Sequence, residues 1–379
     1  MLKDCLAVLE LGTSKISLII GEKSVNGTFA FRAKETEDYY AFFDGEFSDV
    51  KELETKIKTL FKRVIDNSEL SAITKVYVGV PGEFHKVVSK NYRITFNKFK
   101  TVGVNELKTL FELGFDSTDC DYSLIHRSAV YYVVDNVKTH KPIGKKCSSL
   151  GARLSYSLVS NNYKEVLTGI LSNVGVKTVR FISEDFAESQ YLFNPSQLDE
   201  CKILIDVGSA TTSLSISCGE GLLYASAFPL GGGLMTAYLA DKFMCDYDVA
   251  EVLKRKLNLG LRENYTATYI VDDRSIGDYA FSRDRANEVA KDLLDSIAEK
   301  TDRAISACPL NVPSDVETYF TGGGICMVRG AVEYISSRLG VLPKTVAPNL
   351  PHYNKPIYSS KLSLLYVAHK YNNHKIFFT

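Results

Sequence analysis

The chain has 379 residues with 45 Lys and Arg balanced by 45 Asp and Glu, so no overall field favours DNA, RNA or anionic lipid. That length exceeds a single small core and predicts two domains. Eight cysteines stand singly at 5, 120, 147, 201, 218, 245, 308 and 326, with no Cys-x-x-Cys pair and no metal-ligand spacing to the six histidines; they read as small buried residues of a reducing cytosol.

The N-terminus enters a strand almost at once. No basic stretch leads to an apolar signal core and no run approaches the length of a bilayer span, so the expectation is a soluble intracellular protein. Cys5-Leu-Ala-Val-Leu-Glu-Leu-Gly-Thr13 reads as an apolar strand ending in a carboxylate, a glycine and hydroxyl residues, and Ile16 to Ile20 completes a hairpin. Leu53, Ile57, Leu60, Phe61, Val64 and Ile65 then recur at helical spacing, with Asp49 or Ser48 as cap. Lys75 to Val80 is a strand stopped by Pro81-Gly82, and together these pieces predict a mixed α/β core.

Residues 83–163 break that plan and read as an inserted subdomain: alternating Val87, Ser89 and Asn91, a polar strand Arg93 to Phe96, a helix Asn105 to Gly114 and a strand Ser128 to Val137. A helix Asn162 to Gly175 and a strand Thr178 to Ile182 return to the first core. Glu184 to Phe193 predicts a helix linking the halves, with Asn194-Pro195-Ser196 as hinge. Then the opening motif recurs. Cys201-Lys-Ile-Leu-Ile-Asp-Val-Gly-Ser209, 196 residues on, aligns with the first copy without a gap and is followed by the strand Leu214 to Ile216. After it come a strand Tyr224 to Leu230, a glycine run at 231–233 with a helix, and a charged helix-rich segment over 246–308 that includes a long helix near Asp284 to Ala307. A strand Val316 to Phe320 runs into Gly322-Gly323-Gly324, and helices over Cys326 to Leu339 and Lys361 to Tyr371 end the chain.

Two such turns facing each other would grip a polyphosphate from both sides, because turn glycines let backbone N–H groups approach an anion closely. Glu10 and Asp206 would sit where a Mg²⁺ bridges carboxylate, water and phosphate. Each hairpin alone is equally an ordinary hydroxyl-rich turn; the repeat is what favours the phosphate reading. Strand, Thr321-Gly322-Gly323-Gly324, then helix leaves bare backbone to lie against a purine or ribose, although any strand–helix turn can carry glycines. Pro229 to Thr236 is a second glycine loop or a hinge between lobes. Glu251 and Lys254 share one helical face, as ligand groups or as a surface ion pair.

Phosphate hairpin, second phosphate hairpin, and strand-TGGG-helix is the signature order of the actin/Hsp70/sugar-kinase superfamily, and within it the chain resembles the bacterial division protein family FtsA. The resemblance rests on Leu9 to Ile16, Val76 to Gly82, His140 to Gly144, Pro229 to Thr236, Ala250 to Lys254 and Phe320 to Ile325, and on the place of the insertion. It implies an α/β fold of two actin-like (ribonuclease H-like) lobes with a nucleotide cleft between them and an FtsA-type inserted 1C subdomain. The first lobe would be 1–82 with 164–197 and the C-terminal helix 355–379, the insertion 83–163, and the second lobe 198–354 with a helical subdomain 246–308. ATP and Mg²⁺ are the implied cofactors. Gly12, Thr13, Ser14 and Lys15 would hold the phosphates from one lobe and Asp206, Gly208, Ser209, Thr211 and Thr212 from the other. Gly232 and Gly233 would join the site, Glu251 and Lys254 would reach ribose or base, and Gly322, Gly323 and Gly324 would line the adenine slot.

The same resemblance implies self-assembly into protofilaments and binding of the C-terminal peptide of the ring protein FtsZ at the inner face of the cell membrane, with Lys291, Lys300 and Arg303 as candidate contacts; the balanced charge, without a basic cluster, predicts no nucleic-acid partner. Three departures stand out. Glu10 replaces the usual Asp; Ser209 and Ala210 carry Cβ atoms where glycine is common, so a left-handed turn position would be strained; and the sequence ends at Thr379 without the family's linker and amphipathic helix, so the membrane is reached indirectly or through a missing anchor. ATP hydrolysis is expected to be weak at most. A superfamily small-molecule kinase would need a carboxylate base, for which Glu184, Asp185 and Glu188 are the candidates, with helix capping as their other reading. A PilM-like pilus-assembly scaffold is the remaining alternative.

Overall fold

The computed structural model describes residues 5–23, 29–40, 42–68, 70, 72–116, 119–273, 277–310, 312–313 and 315–372; the reading of the tail at 373–379 lies outside them. The chain forms two compact units, Met1–Ile203 with Ser215–Ser226 and Ser360–Thr379, and Leu204–Leu214 with Ala227–Ser359.

The first unit opens with β1 (Cys5–Leu11), β2 (Lys15–Lys23) and β3 (Phe29–Asp38), a short hairpin β4 (Phe42–Phe43) and β5 (Glu46–Phe47), helix α1 (Val50–Asp66) and β6 (Lys75–Val80). Asp49 starts α1, its carboxylate accepting from Lys51 N at 2.8 Å and Glu52 N at 3.0 Å, which satisfies two orphan donors of the first turn. Leu53, Ile57, Leu60, Phe61 and Val64 give the helix one buried stripe. The insertion comprises β7 (His85–Thr101), α2 (Val104–Leu113), β8 (Tyr122–Val134), β9 (Val137–Thr139) and β10 (Lys146–Ser160), and the chain returns through α3 (Asn161–Asn173), β11 (Thr178–Ser183) and α4 (Glu184–Leu192).

The main sheet has the order β11-β6-β1-β2-β3, with β11, β6 and β1 parallel and β1, β2 and β3 antiparallel. Strand alternation sorts its side chains: Leu9, Leu11, Val76 and Val78 pack with α1 and α3, whereas Val8, Tyr77 and Ile182 pack with α4 and the C-terminal helix. Burial on both faces explains why β1 reads as a continuous apolar run. The insertion is an antiparallel sheet, β7-β10-β8-β9, whose core under α2 includes Leu110, Phe111, Leu150, Leu154 and Tyr156. Its β8 strand stops at Val134, three residues earlier than the sequence suggests, because Asp135 and Asn136 both take positive φ (44° and 72°) in a tight turn to β9.

The second hairpin, β12 (Lys202–Val207) and β13 (Thr212–Cys218), is followed by β14 (Gly221–Phe228), α5 (Gly232–Phe243), α6 (Tyr247–Lys256), β15 (Thr268–Asp273), β16 (Gly277–Ser282), α7 (Arg283–Ser306), β17 (Glu317–Thr321), α8 (Ala331–Leu339) and α9 (Ser359–Tyr371). The sheet order is β14-β13-β12-β17. The 246–308 segment holds a strand hairpin between its helices, β15 with β16, as well as the long α7. The helix after the glycine loop begins at Ala331 and not at Cys326, since Gly330 turns at φ 80° against Leu259 and Gly260. Among the described residues no helix is long and apolar enough to cross a membrane.

Candidate functional site

The two hairpins close in the same way. Gly12 N donates to Lys15 O at 2.9 Å, and 196 positions on Gly208 N donates to Thr211 O at 2.8 Å. Neither glycine has a positive φ; a Cβ would instead come within 3.2 Å of Lys15 O in one turn and 3.1 Å of Thr211 O in the other, so any side chain there would press on the closing carbonyl. Ser209 and Ala210 also avoid positive φ, which removes the strain expected of their Cβ atoms.

In the second unit three glycine loops are packed backbone to backbone. Gly232 N donates to Gly208 O at 2.9 Å, Gly233 N to Ser209 O at 2.6 Å, and Gly324 N to Val207 O at 2.7 Å. A Cβ on Gly324 would lie 2.6 Å from Val207 O and closer still to Gly208 O; one on Gly231 would lie 2.5 Å from Ser209 O; one on Gly322, at φ 92°, would collide with Asp206 Oδ1. These glycines therefore serve first to bring β12, β17 and the start of α5 together around the second turn. The N–H groups of Gly232, Gly233 and Gly324, expected at a ligand, are engaged in that packing. Thr212, also expected at phosphate, is fully buried with its hydroxyl donating to Leu230 O at 2.7 Å. Gly323 packs against Ile357.

Glu251 and Lys254 do meet on one face of α6, Oε2 to Nζ at 2.6 Å. The same ammonium donates to Gly232 O at 3.0 Å and Thr236 Oγ1 at 2.9 Å, and Thr236 Oγ1 donates to Glu251 Oε2 at 2.6 Å. Burial pushes the Lys254 ammonium down while Glu251 pulls it up; burial raises the Glu251 carboxyl, but the Lys254 and Thr236 hydrogen bonds outweigh it and leave it low. The pair thus fixes the glycine loop at 231–233, a positioning role that helical spacing alone does not reveal.

In the first unit Lys15 pairs across the strands with Asp38 at 3.1 Å, both exposed, an arrangement of small energetic weight. Glu10 is buried, and Lys361 Nζ of α9 lies 3.7 Å from its Oε2. Lys34 stands nearby, its ammonium pushed down by burial and by Lys361 and pulled up by Glu10. Lys361 was missed because it opens an otherwise apolar helix, where a lysine reads as a surface residue. The Glu10 carboxylate, which already faces an ammonium, is poorly suited to a divalent cation; Asp206 lies near the end of β12, beside the second turn.

The three candidate bases divide. Asp185 is buried and bonded to His85 Nδ1 at 2.9 Å, so it is not placed to take a substrate proton. Ser183, and neither of the acids after it, caps α4 by accepting from Phe186 N at 3.1 Å. Glu188 is buried; Glu184 is half-buried, its carboxylate against Gly79. On α7 the candidate cations are not brought together. Lys291 is half-buried over the Tyr334 ring at 5.8 Å, while Lys300 and Arg303 are exposed, Arg303 pairing with Glu299. At 100° per residue Lys300 points about 180° away from Lys291. A groove of about 610 Å³ lined by Lys164, Lys177 and Arg180 among others shares no residue with either turn.

No protein-family model matches the chain. Over 372 residues it is 21% identical to the cell division protein FtsA of Pseudomonas aeruginosa, covering 94% of this chain and 87% of that one. FtsA of Neisseria meningitidis is 19% identical over 382 residues, covering 96% and 90%. The solved PilM-PilN type IV pilus biogenesis complex superposes with a TM-score of 0.63 at 16% identity, covering 96% of this chain and 98% of that one, and MreB 5 of Spiroplasma citri bound to AMPPNP with 0.60 at 13%, covering 99% and 98%. The chain is FtsA-like, with an actin-type fold. Its FtsA-like motifs fall at element ends: Leu9 to Ile16 spans the first turn, Val76 to Gly82 is β6 with its stop, and Phe320 to Ile325 is the end of β17 with its glycine loop.

Proposed function

We propose that this chain is an actin-like, ATP-binding cell division protein that assembles with itself and binds FtsZ as an adaptor at the inner face of the cell membrane. The observation that carries the reading is the repeated hairpin turn, closed by the same glycine N–H to carbonyl bond at 12 and at 208. Gly12, Thr13, Ser14 and Lys15 hold phosphate on one unit, Asp206, Gly208, Ser209 and Thr211 on the other, and Mg²⁺ sits on the Asp206 side. The three-loop packing supports this by holding the second turn rigid. Hydrolysis is weak at most.

Titration with a fluorescent ATP analogue in Mg²⁺ tests it. Thr13→Ala and Asp206→Ala, one in each unit, should each weaken binding by about tenfold, or about 1.4 kcal/mol. If either leaves the affinity unchanged, the two-turn reading is wrong. FtsZ co-sedimentation should then be lost when 246–308 is replaced. The PilM likeness supports a second reading, a pilus-assembly scaffold; binding of an inner-membrane peptide in place of the FtsZ tail would decide for it. Phosphoryl transfer to a small acceptor at about 1–100 s⁻¹ would decide for a kinase.

A further inference from the structure

The hairpin repeat extends past the turns to the far ends of the strands. In the first hairpin Cys5 pairs with Glu22, and Cys5 Sγ donates to Glu22 Oε2 at 3.6 Å. Shifting both positions by the repeat of 196 gives Cys201 and Cys218. Counting back from the Gly208 N to Thr211 O bond along the neighbouring strands β12 and β13 sets Cys201, one residue before β12, opposite Cys218 at a non-hydrogen-bonded position, where facing Cα atoms are typically about 4.5 Å apart and side chains are closest. The two thiols are near enough for each to shift the other's titration. That spacing lies within the roughly 4.4–6.8 Å a disulfide spans. Cys201 is half-buried, Cys218 buried, and both are reduced.

We propose that Cys201 and Cys218 are an oxidation-sensitive dithiol, a modification site that closes to a cross-strand disulfide under peroxide. The chemistry asymmetry favours Cys201 as the attacking group. The neighbouring Cys218 brings its thiol down to about 7 against the opposing effect of burial, with Lys138 and Lys202 adding to the lowering, while Cys201 and burial push Cys218 up. Cys201 as thiolate attacks one peroxide oxygen; the O–O bond breaks and the departing hydroxide takes the proton Cys201 gave up, leaving a sulfenic acid. Cys218 Sγ then attacks that sulfur, the S–OH bond breaks, and hydroxide leaves as water with the Cys218 proton. The pair loses two electrons and the peroxide is reduced to two waters. Cys5 is a built-in control, since the same strand position faces a carboxylate and both burial and Glu22 push its thiol up.

The test treats the full chain with hydrogen peroxide, blocks remaining thiols with N-ethylmaleimide, digests without reduction and maps cysteines by mass spectrometry. Expected are a 201–218 linked peptide reversed by dithiothreitol, oxidation of Cys201 about tenfold faster than of Cys5, and a dimedone-trapped sulfenic acid at Cys201 in Cys218→Ser. Cys201→Ser and Cys201→Ala, checked for folding by circular dichroism, should abolish the linkage. Cys201 and Cys218 both remaining reduced while the exposed Cys120 oxidises, or Cys201 linking to another cysteine, would overturn the proposal.

Discussion

Lys361 Nζ and Glu10 Oε2 lie 3.7 Å apart with both side chains almost buried, so the last helix supplies the counter-ion for the carboxylate at the end of the first strand. Removing Lys361 leaves the buried Glu10 carboxylate to Lys34 nearby, and a buried charge so under-compensated costs more than the pair contributes. Lys361→Met should therefore destabilise the protein by about 1–3 kcal/mol in urea unfolding, and Glu10→Gln should recover much of that loss when combined with it. Additive losses in the double variant would show the two residues to be independent.

The glycine loops make a steric prediction. A Cβ at Gly324 meets two carbonyls of the second hairpin, and neither can move without breaking the loop packing. Gly324→Ala should cost about 1–3 kcal/mol or more. Gly169, within α3 and with open space around its Cβ position, is the matched control. Gly169→Ala should stabilise by about 0.5–1 kcal/mol, because alanine loses less backbone entropy in a helix. Thermal melts of both variants check the sign.

Periodicity and punctuation carried most of the fold. β6 matches its expected limits of Lys75 and Val80, and α1 its Asp49 cap, because an apolar run with a Pro-Gly stop and a capped 3.6-residue stripe are local signals. The β15–β16 hairpin was illegible: its Tyr, Asp and Gly content lies between two strongly helical stretches. At the site, the glycines were visible but their reason was not. What Gly322, Gly232 and Gly324 touch is backbone brought from far along the chain, and no local spacing encodes that. The same holds for His85 with Asp185, 100 residues apart.

His126 gives a pH prediction. Fully buried on β8 against Phe186, its ring centroid 4.0 Å away, it is pushed down from 6.5 to about 3 by burial, with Lys370 and His85 opposing a further positive charge. Between those values the unfolded chain binds a proton that the folded protein refuses, so stability falls as pH drops below about 6.5. The contribution approaches about 1.4 kcal/mol per pH unit and levels off only near pH 3. His126→Phe should flatten that part of the urea midpoint against pH curve; an unchanged slope would mean that other groups set it.

The cations of α7 should separate by exposure. Lys291 lies over Tyr334 and is half-buried, so Lys291→Glu should act on folding, at about 0.5–2 kcal/mol from the lost cation–π contact. Lys300 and Arg303 are exposed on another part of the helix, and Arg303 is tied to Glu299 one turn before it. Surface charges of this kind change association more than stability. Lys300→Glu with Arg303→Glu should leave the melting temperature within error and weaken binding of an acidic FtsZ tail peptide, with the loss shrinking as salt rises. Fluorescence anisotropy at low and high ionic strength measures it, and a salt-independent loss would place the contact on apolar groups instead.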